Sequence, residues 1–108
     1  MVTAIPEKDW KYLMSIQPDL LSSLCERINR RALEILEMRE LTETEKYKAL
    51  CQHIHDSDEI VAQCFDDWRR SNIHLKIAAL YRNNLLMEGR LRRMSDETRE
   101  FIKRTNLQ

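Results

Sequence analysis

Glycine is almost absent from this chain and proline is scarce: Gly89 stands alone, and Pro6 and Pro18 are the only prolines in 108 residues. Neither Asn-Gly nor Asp-Gly occurs. Hairpin turns and sheet corners draw on those residues, so their scarcity argues against a sheet. A single glycine also excludes the Gly-rich phosphate loops of P-loop and dinucleotide-binding proteins. Long apolar runs are missing as well. The longest spans residues 77 to 81, far short of the ~20 residues that cross a bilayer. The opening residues, MVTAIPEKDWKYL, carry no apolar signal core. Net charge is nil, with 18 Lys and Arg against 18 Asp and Glu, which removes whole-molecule attraction to nucleic acid or anionic lipid. Cys25, Cys51 and Cys64 are odd in number and lack CxxC spacing, which fits a reducing compartment. These absences predict a cytoplasmic protein with no membrane partner.

What is present points to helix. Leu, Glu, Arg, Ile and Ala abound, and most are good helix formers. The length fits one domain, residues 1 to 108. Pro6 suits the first turn of a short helix carrying Trp10, Leu13 and Met14, and Pro18 predicts a fresh start. Leu21, Leu24, Cys25, Ile28, Ala32, Ile35 and Met38 then trace one stripe of a helix over residues 18 to 39. Thr42 with Glu45 reads as a capping box that opens the next helix, with Tyr47, Leu50, Cys51 and Ile54 on it. Asp56-Ser57-Asp58 either starts another helix or is one polar turn of the same one, a helical hinge. Residues 73 to 87 are apolar on nearly every side and predict a central or interface helix ending at Gly89. Ser95 caps a last helix bearing Phe101 and Ile102, and residues 105 to 108 read as a frayed tail. The expected fold is all-α, a compact bundle of five or six helices.

Candidate chemistry concentrates in residues 51 to 70, CQHIHDSDEIVAQCFDDWRR. His53 and His55 are two apart, so on one helix they diverge by about 200° and cannot share an ion. Cys51, His55 and Glu59 lie four apart and form the one row that can meet a metal. The plain alternative is that Cys51 is simply packed on the apolar stripe. Cys51 with His55 is also the one local nucleophile and base pair, without a Gly-rich turn to build an oxyanion hole. Asp66 and Asp67 precede Arg69 and Arg70 by three or four residues, and surface ion pairs account for them. No Glu-x-x-His occurs, which excludes the usual di-iron bundle pattern.

Charge is unevenly spread. Residues 56 to 67 hold five acids and no Lys or Arg, while residues 69 to 93 hold seven bases and one acid. Arg69, Arg70, Arg90, Arg92 and Arg93 form the candidate phosphate-contacting set, although bases at a helix C-terminus also meet its dipole. The reading these features favour is a small non-enzymatic interaction protein. It would act through protein contacts, as a homodimer or with another protein, with Trp68, Leu75, Leu80 and Leu86 as apolar contacts. No cofactor is expected. The alternatives are a nucleic-acid-binding regulator using the five arginines and a metal-dependent sensor using Cys51, His55 and Glu59.

Overall fold

The computed structural model describes residues 5 to 106 and places five helices among them, with no strand: α1 (Glu7–Leu36), α2 (Glu43–Phe65), α3 (Ile73–Arg82), α4 (Glu88–Leu91) and α5 (Asp96–Asn106). The all-α bundle expected from composition is present. Its outline is long, 51 × 25 × 24 Å with a radius of gyration of 16.6 Å, against ~13 Å for a round chain of this length.

The length comes from α1. A break at Pro18 was the expectation, yet α1 runs 30 residues straight through it. Pro18 forfeits one bond to the Met14 carbonyl, but both residues are exposed, so water can take that carbonyl. Leu13, Ile16, Leu20 and Leu24, all buried, hold the axis on either side of the proline. The α1–α2 connection is short, so the two helices form an antiparallel hairpin, clamped where His53 Nε2 lies 2.9 Å from the Ile28 carbonyl.

The start of α2 follows the sequence. Thr42 Oγ1 accepts from the Glu45 N–H at 3.1 Å, and Glu45 Oε1 accepts from the Thr42 N–H at 2.8 Å. Hydrogen bonding from the Thr42 backbone N–H first, and from the Thr42 side chain second, holds the Glu45 carboxyl below its ordinary range. α2 then continues unbroken through Asp56, Ser57 and Asp58. Ser57 is buried, and its hydroxyl donates to the His53 carbonyl one turn back at 2.7 Å. Of the two expectations for this segment, the single polar turn within one helix is the one the structure has.

α3 is shorter than its apolar pattern. It ends at Arg82, not near residue 87, because Asn84 turns left-handed at φ 58°. The Leu85 N–H reaches the Leu80 carbonyl at 2.9 Å and the Asn84 N–H reaches that of Tyr81 at 3.0 Å, a Schellman ending with Asn where Gly is usual. Leu85 and Leu86 stay apolar because they are buried beyond the turn. Gly89, expected at a helix end, lies inside α4, and the left-handed positions among the described residues are Asp67 and Asn84. α5 extends to Asn106, so Thr105 is helical and donates to the Phe101 carbonyl at 2.9 Å; Leu107 and Gln108 lie outside the described residues.

The core fills one end of the molecule. Leu13, Leu20, Ile73, Ile77, Leu80, Leu86 and Ile102 meet there, from α1, α3, α5 and the α3–α4 connection. Helix ends in this head are finished by side chains from other helices. Asp9, wholly buried on α1, takes the Ser95 N–H at 3.0 Å, the Ser95 hydroxyl at 2.6 Å and the Thr98 hydroxyl at 2.5 Å at the start of α5. Lys76 on α3 donates to the carbonyls of Ala62 and Gln63 near the end of α2. Arg27 on α1 donates to those of Asn83 and Asn84 at the end of α3, 2.6 Å each. Each charge has the sign that the helix dipole favours.

Removing the Asp9 carboxylate strands one buried donor on Thr98 and two half-buried donors on Ser95. We expect Asp9→Ala to cost about 3 kcal/mol in urea unfolding and Ser95→Ala about 1 kcal/mol. A double-mutant cycle should show the two non-additive, because they share one network; additive losses would contradict the cap.

Candidate functional site

The four residues expected to supply apolar contact do not share a surface. Leu80 and Leu86 are 0% and 2% exposed, packed inside the head by the helices around them. Trp68 is half-buried, stacked on Phe65 at 6.0 Å, and its indole N–H donates to the Cys64 carbonyl at 2.7 Å. Leu75 alone is exposed.

The five arginines do not form one face either. Arg69 pairs with Asp67 at 2.9 Å, and Arg70 reaches back to Glu7 at 2.8 Å while covering the Trp10 ring. The Arg70 hydrogen bond, more than its charge, holds the Glu7 carboxyl below its ordinary range. Arg93 covers Tyr12 instead. Trp10 and Tyr12 are two apart on α1 and so point about 200° apart, which puts Arg70 and Arg93 on opposite sides of that helix. Arg92 lines a cleft of about 490 Å³ between Tyr81, α4 and α5. There Arg99 pairs with Asp96 and Lys103 faces Glu100, so base is balanced by acid. Arg90 is half-buried on α4.

The metal row is not assembled. His55 Nε2 lies 3.8 Å from Glu59 Oε1, and Cys51 is exposed. Among the described residues no three His, Cys, Asp or Glu side chains, Cys51, His55 and Glu59 included, come together as a ligand set. Cys64 sits in the core, where burial pushes its thiol up against the opposing effects of Asn83, Lys76 and Arg82. A thiol held protonated is a poor nucleophile. His74 presents a buried Nδ1 with no hydrogen-bonding partner among the described residues, its ring edge-on to Phe101.

The unexplained surface lies on the hairpin. Among the described residues, α1 and α2 have only each other beyond the head: from Cys25 to Asp56, Ile35 is the one residue buried. At 100° per residue, the buried residues of α1 in the head, Leu13, Ile16, Leu20 and Leu24, face α2 and one side of the hairpin. The other side carries Met14, Pro18, Leu21, Cys25, Asn29, Ala32, Leu33 and Leu36 within an arc of about 120°. No charged residue interrupts that flank between positions 14 and 36. The matching flank of α2 carries Thr44, Tyr47, Cys51 and Ile54, with Asp58 as the next charge. Both flanks are reached by turning the same way from the buried seam. In an antiparallel pair that places them on the same face. Tyr47 is 68%, Leu33 57%, Leu36 48% and Ile54 41% exposed. The opposite face of the arm carries Arg30, Arg31, Glu34 and Asp56.

Sequence periodicity overlooked this surface. Leu33 and Leu36 fall outside the stripe that predicted the helix. The available signal was a second uncharged stripe beside the first, too broad for one seam.

Models of protein families, curated proteins and solved structures were compared with the chain, and none of the three comparisons finds a match. Fold and surface define a class: an all-α chain whose helical hairpin is layered by α3 to α5 on one face and bare on the other. No helix among the described residues is long and apolar enough to cross a membrane.

The burial difference sets a direct check. Leu80→Ala should cost about 2–5 kcal/mol, and Leu75→Ala should stay within about 0.5 kcal/mol, in equilibrium denaturation. Equal losses would contradict the placement of α3.

Proposed function

We propose that this chain is a small non-enzymatic interaction protein that works through the uncharged face of its α1–α2 hairpin. The observation that carries this reading is the exposure of Leu33, Leu36, Tyr47 and Ile54 on one face of a two-helix arm. Two helices alone make a single layer, and a single layer cannot hide its own apolar side chains. Contiguous exposed apolar surface of this kind marks a contact site. The opposite face is charged and suits water, so the contact is one-sided.

Support also comes from what the other groups are already doing. Arg70 is engaged by Glu7 and Trp10, and Arg69 by Asp67. His53 clamps the hairpin. The polar side chains that stood out in the sequence thus have structural employment, whereas the arm's apolar residues have none.

The test is the size of the chain in an extract of the cells that make it. Gel filtration with immunodetection should find it in an assembly well above its own 13.0 kDa. A Leu33→Glu/Tyr47→Glu variant should elute as the free chain with unchanged helicity, since both side chains are exposed and surface changes cost little stability. Wild type eluting as the free chain would contradict the proposal.

A further inference from the structure

We infer that the occupant of the bare hairpin face is a second copy of this chain, the two hairpins packing face to face into a four-helix bundle. The inference rests on the interaction reading above and names its partner. A twofold contact brings each residue's patch against the same patch on the other copy, so the surface must tolerate meeting itself. This one does. Its α1 flank has no charge from position 14 to 36, and its α2 flank has none from Thr44 to Ile54. Two copies therefore join without burying like charges against each other, and a formal net charge of zero leaves no long-range repulsion between them.

The area suffices for a dimer of modest strength. The α1 flank, positions 14 to 36, runs ~33 Å along its axis and the α2 flank, positions 44 to 54, ~15 Å, each helix being ~10 Å wide. Each copy offers roughly 500 Å², and the pair buries roughly 1,000 Å², the lower bound for a specific interface. The arrangement completes the architecture that an isolated hairpin lacks. Leu33, Leu36, Tyr47 and Ile54 become the inner layer of an antiparallel bundle.

The chain carries its own reporters. Cys25 and Cys51 are exposed and lie on this face, while Cys64 is buried in the head. In the dimer the first two thiols are covered. The experiment is labelling of the purified full chain with an aromatic disulfide reagent across protein concentration, with the mass followed in parallel by light scattering. The expected result is that Cys25 and Cys51 slow together, about fivefold once total protein is about ten times the dissociation constant. The mass should rise over the same range from 13.0 kDa to twice that, with Cys64 silent until unfolding. Leu33→Glu should restore fast labelling and the single-chain mass, and Leu75→Glu on α3 should change neither. Labelling of Cys25 and Cys51 that ignores concentration, at a constant 13.0 kDa, overturns the inference. If the chain still runs in a larger assembly in extract, the interaction reading survives with a different protein as occupant. A dimer lost in Leu75→Glu and kept in Leu33→Glu overturns the assigned face.

Discussion

The buried carboxylate of Asp9 pins the two ends of the chain together. It sits on the first turn of α1 and takes three hydrogen bonds from Ser95 and Thr98, at the start of α5. A carboxylate out of water is costly unless its lone pairs are filled, so α5 is held where those donors are. Helix α3 is covered because α5 lies on it, and Arg27 and Lys76 complete the head by closing the ends of α3 and α2. The head is thereby a finished object, with apolar side chains inside and helix termini satisfied.

The arm is a different case. Finishing the head uses one face of the hairpin and reaches only as far along α1 as Arg27. Past that point the two helices contribute one buried side chain, Ile35, while Leu33, Leu36, Tyr47 and Ile54 stay in water. Helix propensity and the Thr42 capping box keep the arm helical, and they supply little cohesion between helices. A hairpin this long is stable in proportion to what covers it. In the proposed reading function and stability meet here, because the surface that leaves the arm weak in isolation is the one a partner would cover.

Much of this was legible in the sequence. The Thr42–Glu45 box and the Ser95 cap are local chemistry, and local chemistry reads directly. The amphipathic stripe of residues 18 to 39 placed the second half of α1. Pro18 misled because a proline on a solvent-facing turn costs one hydrogen bond, and tertiary packing of Leu13 to Leu24 outweighs it. Residues 73 to 87 misled because burial continues past Asn84 while the helix does not. The Cys51 to Arg70 stretch lost its chemistry for a physical reason. His53, Ser57, Cys64 and Trp68 are bonded within or between helices, and Arg70 belongs to Glu7, 63 residues away. No spacing rule contains a pairing of that range. The bare face is invisible to the periodicity of a single stripe, because the surface appears only when two antiparallel helices are set side by side.

Amide hydrogen exchange of the purified chain at two protein concentrations tests the central claim most directly. If a second copy covers the arm, amides between residues 25 and 56 gain protection as concentration rises, while those of α3 stay equally slow at both. Arm amides whose exchange is indifferent to concentration, or already as slow as α3 at the lower one, would contradict the account.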